Sequence, residues 1–301
     1  MFFTDGVAID DGNLILSAGY SDAPEAMSSR IYLNFGDWWG VHEVSNDFIV
    51  SIAYKNGVLF AIGKNGLVKT VGRQGEVLNR ESIKGKFRNY TVKAAESIGH
   101  LTQVRAVAHE FFAVGWGGQV YRLFADSYET LEVGVQNIDE QDLLDIDGFS
   151  NDQLYAVGLN GALLYYDGRT WLHEDAPTNA HFYAVRCLPN GVVMLAGSNG
   201  TLYSGRHGLW KRIDTDMDGN FWSIQDFHDA VYLSYGDNKL FEYKNDVLQE
   251  MKVDLLRNTH TNKLTRSANL LWSIGSDCIA QFDGRAWQRR YCPDQAESPL
   301  A

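Results

Sequence analysis

Short apolar segments alternate with glycine-containing turns along the whole chain. Residues 156–171, AVGLNGALLYYDGRTW, give one example. An apolar run meets a Gly-x-Asn-Gly turn, resumes as an aromatic-rich run, and stops at Asp-Gly just before a tryptophan. Apolar runs bounded by such turns predict buried β-strands joined by tight hairpins.

This pattern recurs seven times. Each copy contains an equivalent glycine, at Gly19, Gly63, Gly115, Gly158, Gly197, Gly236 and Gly275. Subtraction of successive positions gives spacings of 44, 52, 43, 39, 39 and 39 residues. A period near 40 residues with several short strands in each unit predicts a β-propeller.

Each repeat divides into four apolar segments, which predicts four-stranded blades. In the first repeat they are residues 2–8, 13–19, 30–35 and 38–44, and the last repeat ends its fourth segment near Tyr291. We therefore expect an all-β protein, a seven-bladed β-propeller of four-stranded antiparallel blades, closed without a swapped strand. It would form a single domain over residues 1–292, followed by a loose C-terminal tail at 293–301.

Over residues 1 to about 292, the chain resembles the broad class of WD-like, YVTN-like and BNR-like seven-bladed propellers. It departs from the specific signatures within that class. It has no Gly-His and Trp-Asp pair of true WD repeats, and Asp-Gly-Arg-Thr-Trp at 167–171 differs from the sialidase box. The resemblance implies that partners bind at the channel mouth, or on the face carrying the second-to-third-strand turns and the inter-blade connections.

The net charge of −12 narrows the classes of partner. Nucleic-acid binding requires a cationic surface, so direct binding of DNA or RNA is disfavoured, whereas cationic partners are attracted. Three scattered cysteines, Cys187, Cys278 and Cys292, match no disulfide framework and favour a reducing compartment. No basic leader and no long apolar stretch stand out. We expect a soluble cytoplasmic protein with no membrane partner.

Acidic residues cluster in the connections between repeats, and we take them as candidate partner-binding residues. They are Asp139, Glu140 and Asp142 after the third repeat, and Asp214, Asp216 and Asp218 after the fifth. Three ring-bearing residues near the same turns complete the candidate set: Trp116, His181 and Trp222. Basic residues are expected to form opposing arcs on this face: Lys84, Lys86, Arg88 and Lys93, and Arg257, Lys263 and Arg266.

The segment from Asp214 to Gly219 also has the Asp-x-Asp-x-Asp-Gly spacing of calcium loops. The closing acid is missing, because Gln225 stands at the twelfth position and Trp222 at the ninth. The sequence therefore predicts no cofactor, with Ca²⁺ at Asp214, Asp216 and Asp218 as the alternative.

Catalytic motifs are missing as well. The eight histidines are dispersed, and neither a Gly-x-Ser-x-Gly elbow nor a phosphate-binding glycine loop is present. We therefore expect no enzymatic activity.

We predict a protein-binding propeller that resembles the immunity proteins bacteria keep against toxins delivered by type VI or contact-dependent systems. Its acidic face would dock on a basic toxin such as a nuclease and block substrate access. The alternative is a carbohydrate-binding or sialidase-like or lyase propeller. Equivalent turns carry different residues (Lys64, Trp116 and Asp237), which disfavours a sugar pocket repeated between blades.

Overall fold

The computed structural model describes residues 1–20, 28–83, 85–134, 141–175, 178–253 and 260–294. Within these ranges, 28 strands form seven antiparallel sheets of four strands each, in which spatial order follows chain order. Blade 1 is built from the first four strands of the chain, and its innermost strand packs beside that of blade 7. The prediction of a seven-bladed, all-β propeller closed without a swapped strand is confirmed.

The first three blades have the following strands. Blade 1 comprises β1 (Phe2–Ala8), β2 (Asn13–Gly19), β3 (Ser28–Phe35) and β4 (Trp38–Ser45). Blade 2 comprises β5 (Ile49–Lys55), β6 (Val58–Gly63), β7 (Leu67–Gly72) and β8 (Arg88–Thr91). Blade 3 comprises β9 (Leu101–Val107), β10 (Glu110–Gly115), β11 (Val120–Leu123) and β12 (Tyr128–Thr130).

The remaining blades follow the same plan. Blade 4 comprises β13 (Leu143–Ser150), β14 (Gln153–Gly158), β15 (Leu163–Tyr166) and β16 (Trp171–His173). Blade 5 comprises β17 (Phe182–Cys187), β18 (Val193–Gly197), β19 (Leu202–Arg206) and β20 (Leu209–Arg212). Blade 6 comprises β21 (Phe221–Phe227), β22 (Ala230–Tyr235), β23 (Lys239–Lys244) and β24 (Val247–Met251). Blade 7 comprises β25 (Lys263–Arg266), β26 (Leu271–Ile274), β27 (Ile279–Phe282) and β28 (Trp287–Arg290).

Two short helices explain the longest repeat. Helix α1 (Arg80–Ile83) lies between β7 and β8, and α2 (Ala95–Ile98) lies between β8 and β9. They accommodate the extra residues that lengthen the spacing from Gly63 to Gly115. Each spans four residues, so neither of these described helices could cross a bilayer.

Large side chains fill the wedges between neighbouring blades. The ring of Phe60 in blade 2 lies 4.5 Å from that of Phe111 in blade 3. Phe227 and Tyr232 of blade 6 both contact Phe282 of blade 7, at 6.4 and 6.0 Å. Together with aliphatic side chains, these rings remove apolar area from water between the sheets, which is the main stabilising term for this packing.

The hairpin between β5 and β6 shows why asparagine and glycine punctuate the chain. Asn56 and Gly57 have φ values of 45° and 88°. A two-residue turn with both central residues in this left-handed region matches the right-handed twist of the flanking strands. A Cβ atom on Gly57 would lie 2.1 Å from the Glu76 carbonyl oxygen, so this position requires glycine.

Polar side chains on the innermost strands bind each blade to the next. The Asp5 carboxylate in blade 1 accepts hydrogen bonds from the Ser51 hydroxyl at 2.8 Å and the Ile52 N–H at 3.0 Å, both in blade 2. The Ser51 hydroxyl oxygen in turn accepts a hydrogen bond from the Val104 N–H of blade 3 at 3.1 Å. Because these groups are buried, the bonds satisfy a hydroxyl and two backbone N–H donors that water cannot reach.

The same connection recurs at three of the other five junctions. Asp145 accepts the Val185 N–H at 3.1 Å, which joins blade 4 to blade 5. Ser223 and Thr265 complete the series, accepting the Leu264 N–H at 3.1 Å and the Ala8 N–H at 3.3 Å. The last of these joins blade 7 to blade 1 and closes the ring.

Ion pairs reinforce these junctions where the strands line the channel. Arg105 donates to both oxygens of Asp145, at 2.8 and 2.7 Å. The Asp226 carboxylate lies between two guanidinium groups, 2.8 Å from that of Arg186 and 3.0 Å from that of Arg266. A single carboxylate thus bridges blades 5, 6 and 7.

The chain end also contributes to closure. The Asp294 carboxylate accepts a hydrogen bond from the Tyr32 hydroxyl at 2.8 Å and pairs with Arg30 at 3.1 Å. Both partners lie on β3 of blade 1, so the segment after β28 contacts the first blade. The rest of the predicted tail, 295–301, lies outside the described residues.

Replacing Asp5 tests the junction between blades 1 and 2. Asp5→Ala leaves the buried Ile52 N–H and Ser51 hydroxyl without their acceptor. We expect the free energy of unfolding to fall by about 3 kcal/mol, measured by denaturant titration. Asp37→Ala, at an exposed hairpin, is the control and should change it by less than about 0.5 kcal/mol. Equal effects of the two variants would contradict this account.

The contribution of the Asp226 junction to the free energy of unfolding should depend on pH. Burial alone would raise the pKa of Asp226, but Arg186 and Arg266 outweigh it, so the pKa lies below its usual range. The ionised carboxylate therefore stabilises the fold above the pKa of an unfolded Asp, about 3.9, and this contribution is lost as the pH falls through the folded-state value. Asp226→Asn should lower the free energy of unfolding by about 3 kcal/mol at pH 7, and by less at pH 3.

Asp229→Asn is the matched control. Asp229 pairs with Lys244, but its side chain is 75% exposed, so little change in stability is expected at either pH. A loss for Asp226→Asn that stays constant from pH 7 to pH 3 would show that the carboxylate charge is not what stabilises the junction.

Candidate partner-binding face

The propeller has two distinct faces. We call the connection face the one carrying the second-to-third-strand turns and the inter-blade connections, and the hairpin face the one carrying the other two turns of each blade. Backbone hydrogen bonds join neighbouring segments across the connection face, for example from Trp116 N–H to His100 at 2.9 Å and from Gly118 N–H to Gln141 at 2.8 Å. The described candidate residues from the sequence all lie at this face.

Trp116 lies in the turn between β10 and β11 and is 41% exposed. Its ring is 4.8 Å from that of His100. Gly99 permits this close approach, because a Cβ atom there would lie 2.9 Å from the Cβ of Trp116. The Gln119 side chain donates hydrogen bonds to the carbonyls of Gly99 and Trp116, at 2.9 and 2.8 Å, which fixes the turn.

Ile98 adds a second exposed apolar side chain in this region. It ends α2, lies two residues before His100 and is 52% exposed. Sequence reasoning missed it, because a lone isoleucine in a connection carries no signal of its own. With Trp116 it provides apolar surface on the connection face.

Asp142 lies beside the same turn. Its carboxylate accepts a hydrogen bond from the Gly117 N–H at 3.1 Å, and its carbonyl accepts one from the Leu159 N–H at 2.9 Å. The structure therefore brings Asp142 and the Trp116 turn together. Asp139 and Glu140, the other candidates of this connection, lie outside the described residues.

His181 is held by hydrogen bonds to two neighbouring turns. Its Nδ1 accepts a hydrogen bond from the Asn160 N–H at 2.9 Å, and its backbone N–H donates to the Ser198 hydroxyl at 3.1 Å. It sits directly before β17, at the start of an innermost strand. These bonds give His181 a structural role at the channel mouth.

Trp222 stacks against a tyrosine at that mouth. Its ring is 4.7 Å from that of Tyr183, and its indole N–H donates to the Gly236 carbonyl at 2.9 Å. Sequence reasoning missed Tyr183. The signal was present, because Tyr183 and Trp222 are 39 residues apart, which is the local repeat period.

Asp214, Asp216 and Asp218 are exposed in the connection between β20 and β21. The backbone around them is fixed: the Gly219 N–H donates to the Tyr235 hydroxyl at 2.6 Å, and the Gly200 N–H donates to the Gly219 carbonyl at 2.6 Å. Among the described residues, their three carboxylates accept no hydrogen bond and form no ion pair. They are therefore available to an external cation.

These carboxylates do not converge as calcium ligands. Within the described ranges, no group of three or more His, Cys, Asp or Glu side chains could hold a metal ion. The loop spacing is that of a calcium site, but the side chains do not assemble a donor set.

The described turns and connections of this face contain more acidic than basic side chains. Other acidic residues there include Glu96, Glu132, Asp175, Asp237 and Asp277, whereas the lysines are Lys64, Lys93 and Lys252. Four residues expected in the basic arcs lie elsewhere. Lys263 and Arg266 line the central channel. Lys86 lies in the connection between β7 and β8, and Arg88 begins β8, both on the hairpin face. Lys84 and Arg257 are outside the described residues.

Comparison with known proteins gives one relative in sequence and many in fold. No protein-family model matches the chain. It is 29% identical over 197 residues to the protein named Immune protein Tsi7 of Pseudomonas aeruginosa. The match covers 64% of this chain and 64% of Tsi7, so it spans somewhat less than two thirds of that relative.

Solved structures with the same architecture share little sequence. The WD40 β-propeller domain of Doa1 has a TM-score of 0.69 at 12% identity and covers 93% of this chain and 91% of its own. YCF48 bound to D1 peptide has a TM-score of 0.70 at 14% identity, covering 97% and 93%. YCF48 from Cyanidioschyzon merolae has 0.67 at 11%, covering 92% and 94%. The chain is a seven-bladed β-propeller with WD40-like structural neighbours, and it is similar in sequence to an immunity protein.

Proposed function

We propose that this protein is a bacterial immunity protein that binds a toxin and neutralises it. The observation that carries this proposal is its sequence similarity to Immune protein Tsi7, at 29% identity over 197 residues. The propeller supports it, because rigid strands present long connections as a preformed binding surface. Neutralisation then requires only that the toxin's substrate site is covered, and no catalytic step.

The connection face is the docking surface in this proposal. Asp214, Asp216 and Asp218 offer carboxylates without protein partners, and Asp142 lies beside the exposed ring of Trp116. An exposed tryptophan on a face that carries exposed acids has the character of an interface anchor within a charged rim. Asp139, Glu140, His181 and Trp222 belong to the same proposed surface.

The partner we propose is a basic toxin, such as a nuclease. An enzyme that acts on nucleic acid must neutralise phosphates and is therefore cationic around its cleft. A protein of net charge −12, with more acidic than basic side chains on the connection face, would be steered to that cleft and would exclude the phosphate backbone. Its own charge disfavours direct binding to nucleic acid.

Co-expression tests this function. We expect the reading frames beside its gene to include a basic effector, whose expression alone stops growth and whose co-expression with this protein restores it. Purified, the two should form a complex whose affinity falls with added salt, measured by biolayer interferometry at 50 and 500 mM NaCl. Failure to restore growth, or binding that ignores salt, would contradict the proposal.

Charge reversal should locate the docking face. In the triple variant Asp214→Lys, Asp216→Lys, Asp218→Lys, association at low salt should slow by about 10- to 100-fold, because electrostatic steering acts on the association rate. The matched control reverses three exposed acids of the hairpin face: Asp37→Lys, Asp126→Lys, Asp152→Lys. It changes the net charge equally, so equal slowing of both variants would mean that total charge, rather than this face, guides the partner.

Removing the Trp116 side chain should change the dissociation rate rather than the association rate. Trp116→Ala is expected to weaken binding by about 2 kcal/mol, roughly 30-fold, mainly through faster dissociation. Because the ring is 41% exposed, the unfolding midpoint should change little. Leu209→Ala, which removes a far more exposed side chain on an outer strand, is the control and should bind as the wild type does. An unchanged dissociation rate for Trp116→Ala would place the partner elsewhere.

A further inference from the structure

A cavity of 270 Å³ lies inside the central channel. Its lining includes Ala8, Tyr54, Lys55, Ala106 and Arg266, which lie at the carboxyl-terminal ends of the innermost strands. These ends lead into the first-to-second-strand hairpins. The cavity is therefore at the hairpin-face end of the channel, opposite the connection face.

Cationic side chains dominate this lining. They are Lys55, Arg105, Arg186, Lys263 and Arg266, whereas Asp5 is the one carboxylate among the described lining residues. The carboxylates that pair with the arginines, Asp145 and Asp226, lie behind the guanidinium groups and outside the lining. The lining is therefore richer in cations than in carboxylates, in a protein of net charge −12.

Among the described residues, the Asp5 carboxylate forms no ion pair with these cations. One oxygen accepts the Gly6 N–H at 2.8 Å, and the other accepts the Ser51 hydroxyl at 2.8 Å and the Ile52 N–H at 3.0 Å. Both of its oxygens are thus occupied by hydrogen bonds, two of which join blades 1 and 2.

Lys263 is the cation without a counterion. Its ammonium group reaches across the channel from blade 7 and donates to the Gln103 amide oxygen in blade 3, at 2.7 Å. Within the described ranges it forms no ion pair. Two of its three N–H donors thus remain for another acceptor. The Thr265 hydroxyl oxygen, also in the lining, accepts the Ala8 N–H, and its own proton is available to donate.

We propose that this cavity is a binding site for a small oxyanion, a carboxylate or a phosphate group, held by Lys263 with Arg266 and Lys55 at the mouth. A partly buried ammonium without a counterion is unfavourable, and a bound oxyanion compensates it with charge-assisted hydrogen bonds. The volume lies just below that of typical drug-sized ligand pockets, about 300 Å³ and upward, which suits a small anion. The site is separate from the proposed toxin-binding face, since none of its lining residues belongs to that face.

Calorimetric titration of the purified full chain tests the site. Sodium phosphate and sodium succinate are titrated separately, each against sodium chloride at matched ionic strength. We expect saturable binding of one anion per chain to at least one of the two, and which one binds identifies the group. At tenfold excess over its dissociation constant, that anion should raise the unfolding midpoint by about 3 °C.

Variants assign the binding to Lys263. Lys263→Met should weaken the affinity at least tenfold, and Lys55→Met, which changes an exposed residue at the mouth and leaves the fold intact, should weaken it a few-fold. The control is Lys64→Met on the connection face, which should bind as the wild type does. The proposal is overturned if neither anion binds saturably, if chloride gives the same response, or if Lys263→Met and Lys55→Met both bind with wild-type affinity.

Discussion

The fold depends on hydrogen bonds from side chains of one innermost strand to the backbone of the next. Adjacent blades are separate sheets, so their facing backbone donors have no ladder partner between blades. Asp5, Ser51, Asp145, Ser223 and Thr265 supply the missing acceptors. Apolar wedges hold the blades together, but these directional bonds fix how each blade is placed on its neighbour.

Joining the blades through these side-chain acceptors places charged groups in the channel. Carboxylates that accept backbone donors are buried, and burial of a charge requires a counterion. Arg105 supplies it to Asp145 and Arg186 supplies it to Asp147. Asp226 joins its neighbouring blades through its ion pairs with Arg186 and Arg266. The arginines of the lining are therefore a consequence of the ion pairs that join the blades. Lys263 adds a positive charge that, among the described residues, takes part in none of these ion pairs.

The two ends of the propeller consequently differ in electrostatic character. The connection face presents the exposed carboxylates of Asp214, Asp216 and Asp218 and the exposed ring of Trp116, whereas the channel cavity is lined by ammonium and guanidinium groups. We propose a cationic macromolecule as the ligand of the first and a small oxyanion as the ligand of the second. Opposite charges at opposite ends allow the two proposed ligands to bind without competing.

The sequence by itself determined the blades, because strand periodicity, Asn-Gly hairpins and the repeat near 40 residues are local properties of the chain. It therefore predicted the strands of blade 1, the closure without a swap, and the candidate residues on one face. Only the tertiary structure decided that Lys263 meets Gln103, 160 residues away, and that Lys263 and Arg266 line the channel rather than the rim. The physical reason is that the alternation of side chains along a strand places them on the two sides of a sheet. Which residues each side then contacts is decided by the closure of the ring.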